Sequence, residues 1–554
     1  MARYRFEPSV PGTTPGQLAA WEAIHGQPLP LEEHKDGLLR VIREIRALPH
    51  FDARVYDRTL RRASRRGLPL YTKDQLVKGY HALVEAGLLA PDNVTLRRLR
   101  MKPTRTLSGV APVTVLTKPY PCPGKCIFCP TEVRMPKSYL SNEPGGMRAL
   151  MLDFDPYEQT ARRIEAMHNT GHSTDKIELL VLGGTWSSYS HDYQEWFIRR
   201  CFDGMNGGDV PARTLAEAHA RNEEAPHRNV GLVVETRPDH ITPDEVYRLR
   251  ALGVTKVQLG VQSLDDEILR LNKRGHAVED LRHAVRLLRG AGFKLAFHWM
   301  PNLLGATPET DLEDFRCLWD DPALQPDELK IYPTALLRGT ELYEHYERGD
   351  YAPYDEAELM DLVTACKLLV PRYCRINRVL RDIPTGDIVQ GVTHTNLRQM
   401  VQQRMERAGT PCRCVRCREV RGAEFDEEAL SLERLTYDTD HSREVFLSAV
   451  APDDWLVGYV RLSLPLDDSA PIGEIRGHAL IRQVQVHGPA LPLGEDAQGR
   501  AQHSGVGAWL IQEAKETALA AGYAQLSVIS AVGTREYYRR HGFVLGQLYM
   551  TTRL

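Results

Sequence analysis

The sequence predicts a multidomain α/β protein: a partial (β/α) barrel, then a cysteine-bearing linker, then a smaller α+β module. Three observations predict it. From about residue 110 to 370, short apolar strands alternate with helical segments, as parallel strands with crossover helices do. Six of the ten cysteines fall in two tight triplets, one opening that region and one following it. From about residue 430 the rhythm changes to consecutive strands, a helix and further strands.

Taken in order, residues 1–30 are rich in Pro and Gly and read as an irregular lead-in. Helical spacing of Leu38, Leu39, Ile42 and Ile45 follows Leu31, and Lys73–Ala86 reads as a second helix stopped by Gly87. The barrel strands are placed at Thr114–Leu116, Ile177–Leu182, Val230–Val234, Lys256–Gly260, Lys294–His298 and Glu328–Tyr332. Helices at Pro243–Leu252, Asp265–Leu271 and Val278–Ala291 lie between them. In the last module the strands are Arg443–Val450, Trp455–Leu464, His478–Val486 and Gln525–Ile529. A helix at Gly507–Ala521 precedes the last of these, and Phe543–Thr552 follows it.

The chain has 554 residues, 26% of them charged, with a net charge of −3, which excludes a uniformly basic nucleic-acid coat protein. Charge is unevenly spread. Residues 51–105 hold 13 Lys/Arg against five Asp/Glu, a local net of +8. Such a run is either a solvated helical face or a phosphate-binding surface. No apolar run approaches the ~20 residues needed to span a bilayer, and the first residues lack a signal-peptide pattern, so a cytoplasmic protein is expected.

Cys122, Cys126 and Cys129 have C-x3-C-x2-C spacing in the loop after the first strand, the end of a barrel where active sites are built. A cubane iron–sulfur cluster wants four protein ligands; three clustered thiolates leave one iron open to a small molecule. A zinc knuckle is the alternative, and it needs a fourth ligand nearby. The spacing resembles that of radical S-adenosylmethionine enzymes. The resemblance implies a 4Fe–4S cluster on the three cysteines, with S-adenosylmethionine on the open iron. In line with it, Gly183 and Gly184, Glu235 and Gln258 stand at successive strand ends, as candidate adenosylmethionine contacts.

Cys412, Cys414 and Cys417 have C-x-C-x2-C spacing outside any strand–loop context, which fits structural zinc. The fourth ligand is left open among His394, His441, a distant residue or water. Cys201, Cys317, Cys366 and Cys374 have no assigned role. Further on, Gln502, Ser504, Gly505 and Gly507 form a Q-x-x-G-x-G-like turn at a helix start, where free amides suit a pyrophosphate. A Rossmann site is the competing reading, but the strand ending at Ser530 lacks the acidic residue it requires. With Tyr537, Tyr538, Gly542 and Phe543 the segment resembles the GCN5-related N-acetyltransferases (GNAT), which implies acetyl-CoA.

The combination resembles the family of the Elongator catalytic subunit, in its prokaryotic single-subunit form, from about Arg97 to the C-terminus. The resemblance rests on the cysteine loop, Gly184-Thr185-Trp186, Glu235-Thr-Arg-Pro-Asp, Leu259-Gly-Val-Gln-Ser, Leu329-Lys-Ile-Tyr-Pro, Arg381-Asp-Ile-Pro and Gly533-Thr-Arg-Glu-Tyr-Tyr. It implies a basic, mainly helical tRNA-binding region (1–109), a radical SAM partial (β/α) barrel (110–370), a zinc-binding linker (371–429) and a GNAT acetyl-CoA domain (430–554). The implied reaction converts the wobble uridine of tRNA to 5-carboxymethyluridine. Lys330 and Tyr332 are expected at the pocket, though Lys330 reads equally as a surface lysine. Tyr537 and Tyr538 are expected beside the thioester or in packing. Arg61, Arg62, Arg65, Arg66, Arg97, Arg98, Arg100, Lys102 and Arg105 are expected on phosphates of the anticodon stem-loop. Gln483 stands where family members usually carry an acid and has no basic form; His487 is either its substitute or a strand surface residue. The rival readings are a protein lysine acetyltransferase with a structural iron–sulfur module and a non-catalytic tRNA scaffold. No feature indicates an obligatory protein partner.

Overall fold

The computed structural model describes residues 30–69, 71–101, 106, 108–391, 396–420, 426–487 and 504–554. It divides into two compact units, one of residues 1–104 with 165–172 and one of the remainder.

The first unit is helical in its described residues. Leu31–Arg46 carries Glu32 and Glu33 in its first turn and Arg43 and Arg46 in its last, both favourable to the helix dipole. Its buried stripe is Leu38, Val41, Ile42 and Ile45. Asp52 caps Ala53–Arg65 through the Val55 amide at 2.7 Å, and a Thr72/Gln75 capping box starts Lys73–Glu85. Gly87, at φ +69°, follows that helix. Asp92 caps the short Asn93–Leu99.

In the second unit a seven-stranded sheet runs β1 (Ala111–Leu116), β2 (Lys176–Leu182), β3 (Arg228–Thr236), β4 (Lys256–Gln262), β5 (Lys294–Trp299), β6 (Glu328–Ile331) and β8 (Arg375–Arg378). All six pairings are parallel, and the first six strands neighbour one another in chain order. Such a singly wound parallel sheet is an open portion of a (β/α) barrel, with the loops after its strands at one end. β8 comes from the segment read as linker: it is only four residues long, too short to give a periodic signal. The small strand β7 (Leu336–Leu337) pairs with β9 (Ile388–Gln390).

The second sheet has the order β10 (Ser431–Asp438), β11 (Ser442–Ala451), β12 (Trp455–Pro465), β13 (Ala479–Val486), β14 (Gln525–Val528), β16 (Met550–Arg553), β15 (Val544–Leu545). It is antiparallel apart from the β13–β14 pair. One face packs on the helix Ser504–Ala520 through Val460, Leu462, Ile481, Leu510 and Ala514. The C-terminal Phe543–Thr552 stretch contributes a hairpin, β15–β16. β10 went unread because its pattern is exposed on most positions, with no apolar run.

The other face of this sheet meets the barrel through charge. Arg482 donates to both carboxylate oxygens of Asp327 at 2.7 and 2.6 Å and to Glu444 at 2.9 Å, and Asp327 and the Arg482 side chain have no exposed surface. Arg461 donates to the Tyr373 carbonyl at 2.6 Å and lies 3.4 Å from Asp327. Arg482, Arg461, Asp327 and Glu444 are all buried at this junction, with the buried Arg289 guanidinium acting on both carboxylates, so removal of either carboxylate leaves uncompensated buried positive charge. Among the described residues, no helix is long and apolar enough to cross a membrane.

Candidate active site

β1 delivers the first cysteine loop. Cys126 is buried, and Cys122 and Cys129 are partly so. Arg274 donates to the Cys126 sulfur at 3.4 Å, and the Gly124 amide donates to Cys122 at 3.4 Å. Any Cβ on Gly124 would lie 2.6 Å from Arg237 Nη1, so glycine there lets the guanidinium reach the loop. Arg237 is held by Asp239 at 2.9 and 2.7 Å, yet its Nη1 is buried with no hydrogen-bond partner, as is Nε of Arg274. A hydrogen bond from Cys129 lowers the Cys126 pKa against the opposing effect of burial, and Arg274 and Arg237 lower it further. Three thiols, one pulled toward thiolate, with two buried guanidiniums beside them fit an anionic iron–sulfur cluster.

Beside the loop, Gly183 ends β2 at φ +145°, and a Cβ there would meet Thr117 Oγ1 at 1.9 Å. Only glycine fits. At Gly184 the nearest obstacle is Tyr189 Oη at 3.8 Å, so that position is open. Thr185 Oγ1 stands 3.7 Å from the Cys122 sulfur.

The strands bring a polar cluster together inside the sheet. Gln258 Oε1 accepts from Lys330 Nζ at 2.5 Å and from His298 Nε2 at 2.8 Å, which assigns the Nε2–H tautomer of the imidazole. His298 Nδ1 faces Glu235 at 3.5 Å, and Tyr139 donates to the other Glu235 oxygen at 3.3 Å. Lys330 is only 7% exposed, so it is an interior group and not a surface lysine. Tyr332 lies beside it, edge-on to His298 with ring centroids 5.3 Å apart. Burial raises the pKa of Glu235, but His298, Lys330 and Arg381 outweigh it and hold the carboxyl at about 2. Burial and Lys330 press His298 down to about 4, so at neutral pH the imidazole is uncharged and Lys330 and Arg381 carry the attraction. His298, Tyr139 and Arg274 escaped sequence reasoning, whereas Arg237 stood in the Glu235-Thr-Arg-Pro-Asp segment without a role of its own. The signal for His298 was available: it is the polar inward position at the end of a strand otherwise apolar after Lys294.

The second cysteine loop gathers Cys412, Cys414 and Cys417 with their sulfurs within 4.8 Å of one another. A tetrahedral zinc with Zn–S bonds of about 2.3 Å places sulfurs about 3.8 Å apart, so the set is near the required size. Lys367, 1% exposed, has an unpartnered Nζ whose charge acts on Cys417. His441 lies instead against Gly290 and Asp467, and His394 is outside the described residues.

In the last module β13 pairs with β14 only over Ala479–Ile481, after which the two strands part. The helix Ser504–Ala520 starts with Gly505 and Gly507; a Cβ on Gly507 would lie 2.5 Å from Tyr537 Oη, so the glycine admits that phenol. Gln502 and the Ser504 side chain lie outside the described residues. Tyr537 is 37% exposed, and partial burial of its phenol raises its pKa, which keeps it a hydrogen-bond donor. Tyr538 belongs to the apolar core, packed on Phe543 with centroids 5.7 Å apart. Gln483 Oε1 accepts from Arg461 at 3.1 Å. His487 is buried 3.4 Å from Glu419 and is not a surface residue.

In the helical unit Arg61, Arg62, Arg65, Arg66 and Arg97 are exposed. Arg62 and Arg66 pair with Glu44 at 3.4 and 3.2 Å. Arg98 instead donates to the carbonyls of Ile45 and Arg46 at 2.7 and 3.0 Å, and Arg100 to that of Gly171 at 3.1 Å, so both hold helix ends. Lys102 and Arg105 lie outside the described residues.

The parallel sheet with its three-cysteine loop defines a radical SAM barrel. The sequence profile of the Radical SAM superfamily matches residues 120–318, and that of the Radical_SAM C-terminal domain matches 326–407. A tRNA uridine(34) acetyltransferase of Dehalococcoides mccartyi is 44% identical over 82% of this chain and 99% of its own length. That of Methanocaldococcus jannaschii is 42% identical over 82% and 86%, and human Elongator complex protein 3 is 36% identical over 83% and 87%. The solved structure of an archaeal Elp3 from Methanocaldococcus infernus with an N-terminal deletion superposes with a TM-score of 0.70 at 38% identity, over 81% of this chain and all of that one. The chain belongs to the tRNA uridine(34) acetyltransferase and Elongator complex protein 3 family.

Proposed function

We propose that this protein modifies the wobble uridine of tRNA, drawing on acetyl-CoA and S-adenosylmethionine to form 5-carboxymethyluridine. The observation that carries the reading is the three-cysteine loop, backed by two buried guanidiniums, in one compact unit with the parted strands and glycine helix start of the second sheet. Cys122, Cys126 and Cys129 hold the 4Fe–4S cluster, and Gly183 and Gly184 leave room at its edge for adenosylmethionine. A cluster held there would, with adenosylmethionine, supply the removal of hydrogen from the acetyl methyl group; joining that carbon to C5 of the base would release the C5 hydrogen as a proton and one electron back to the cluster, and water would displace coenzyme A from the thioester.

Glu235 and Gln258 orient polar groups of adenosylmethionine from the strand ends. Lys330 presents a cation to a carbonyl oxygen, and Tyr332 walls the pocket. The uncharged His298, with bare Nδ1 toward Glu235, is placed to take a proton there. The second sheet is a GNAT-type domain: Gln502, Ser504, Gly505 and Gly507 hold the pyrophosphate of coenzyme A. Tyr537 donates toward the thioester, and Tyr538 supports it from the core. Cys412, Cys414 and Cys417 hold zinc and staple the junction of barrel and second sheet. Arg61, Arg62, Arg65, Arg66 and Arg97 grip the anticodon stem-loop, whose wobble base leaves its stack to enter the barrel.

Anaerobic reconstitution with iron, sulfide, adenosylmethionine, acetyl-CoA and tRNA, followed by nucleoside mass spectrometry, tests this. A carboxymethyl nucleoside is expected from the parent and none from Cys126→Ala. Lysine acetylation without a modified nucleoside would favour the protein acetyltransferase reading instead.

A further inference from the structure

Reductive cleavage of S-adenosylmethionine draws one electron from the group on the cysteine loop, so that group has first to be reduced from outside. Much of the loop is closed. Cys126, Ile127 and Phe128 are packed with Leu303, Leu304, Leu336 and Leu342 in an apolar shell, against which Cys129 also packs. Cys122 is partly exposed, and Tyr189, within a run of aromatic rings, lies close enough to feel its charge.

We propose that the stack Tyr120–Tyr189–Tyr193–Trp196 is the route by which a small one-electron carrier protein reduces the group held by Cys122, Cys126 and Cys129. The inference rests on the cluster assignment made above. Tyr120, two residues before Cys122, lies on Tyr189 with centroids 4.8 Å apart and an interplanar angle of 32°. Tyr189 stacks on Tyr193 at 5.0 Å and 23°, and Tyr193 meets Trp196 at 5.6 Å and 37°. The inner rings are pinned to the loop itself. Tyr189 donates to the Lys118 carbonyl at 2.7 Å and accepts from Thr117 Oγ1 at 2.8 Å. The Lys118 amide donates to Tyr193 Oη at 3.1 Å, and its ammonium lies 4.8 Å from the centre of that ring.

Core packing accounts for Tyr189, which is buried, but not for the ends. Tyr120 is 42% and Trp196 38% exposed, so both ends of a continuous aromatic run reach solvent. The Lys118 ammonium covers Tyr193, exposed Lys125 follows Tyr120 in sequence, and exposed Asp192 and Glu195 precede Trp196. Mixed charge around two exposed rings suits the small, transient interface of redox encounters. The rings act as closely packed bridging matter and are not themselves reduced. One electron leaves the carrier and one arrives on the iron–sulfur group; no bond is made or broken and no proton moves. Burial pushes the Tyr189 phenol up to about 12 and raises that of Tyr193, so both stay neutral.

The test measures cluster reduction by anaerobic stopped flow and by the growth of the reduced-cluster paramagnetic resonance signal, per intact cluster from iron and sulfide analysis. The reductants are flavodoxin hydroquinone, reduced ferredoxin and dithionite, the last needing no docking. Tyr120→Leu with Trp196→Leu is expected to slow reduction by at least one of the two proteins tenfold or more. The dithionite rate should stay within twofold, and Tyr120→Phe with Trp196→Phe should behave as the parent. The protein that is slowed identifies the carrier class, flavin or iron–sulfur. Equal carrier rates in the leucine variant, equal slowing with dithionite, or a parent that neither protein reduces would each overturn the route. If the leucine pair does not retain its cluster, Trp196→Leu alone, the outermost ring, gives the same readout. Absence of iron in the parent would defeat the cluster assignment, whereas an intact cluster with unchanged rates defeats only the route.

Discussion

Gly183 and Gly184 are adjacent glycines with different reasons to be there. A Cβ on the first would collide with Thr117 Oγ1 at 1.9 Å in a backbone conformation that side chains avoid, while the second faces open space. Gly183→Ala is therefore expected to weaken adenosylmethionine binding tenfold or more in calorimetry and leave acetyl-CoA binding unchanged; Gly184→Ala should be the milder of the two. Single residues of this kind were legible where a motif fixes their spacing, as with the cysteines and the glycine pair. His298 and Arg274 were not, because they reach the site only through strand register and a loop return. Gln258 and His298 are forty residues apart in sequence and 2.8 Å apart in space. Tyr537 and Tyr538 read alike in sequence, and only the helix turn sends one toward Gly507 and the other into the core.

At the scale of elements, the helix Ala53–Arg65 and its cap set Arg61 and Arg65, and Arg62 and Arg66, one turn apart on exposed surface. The +8 arithmetic did not separate these from Arg98, which spends its donors on the end of Leu31–Arg46. Arg61→Glu with Arg65→Glu is expected to weaken tRNA binding and lower the salt dependence of its affinity by about two phosphate contacts, read from a log–log titration. Arg98→Ala should instead lower the stability of the protein by about 0.5–1.5 kcal/mol, the net worth of the hydrogen bonds lost. In the linker, Cys414→Ser is expected to abolish stoichiometric zinc in metal analysis while the iron content stays. The long strands of both sheets were legible from apolar runs; β8 and β10 were not, being short or exposed and positioned by their neighbours.

At the scale of the whole second unit, the barrel and the second sheet are joined by the Asp327–Arg482–Glu444–Arg461 network. Asp327 and Glu444 are buried, which raises their pKa, but Arg482 and its neighbours outweigh burial and hold both carboxyls below their ordinary values. Their contribution to stability is thus fully present above the ordinary carboxylate range near pH 4 and is lost as pH falls through the lowered values. The melting temperature should drop as the medium is acidified below about pH 5. Asp327→Ala, which leaves Arg482 and Arg461 with Glu444 as the one remaining carboxylate of the network, should cost about 3–5 kcal/mol in denaturant titrations at pH 7 and flatten that acid dependence. Sequence divided the chain by rhythm and motif, but this junction is written in isolated charges within apolar strands and emerges only when two sheets meet.

The central claim is that one chain moves the carbon of acetyl-CoA onto a tRNA base by way of the cysteine loop. Acetyl-CoA carrying carbon-13 at both acetyl positions, given to the reconstituted protein with adenosylmethionine and tRNA, tests it in a single mass-spectrometric measurement. A wobble uridine derivative bearing both labelled carbons is expected from the parent and not from Cys126→Ala. Label recovered on protein lysines alone, or a modified uridine without label, would contradict it.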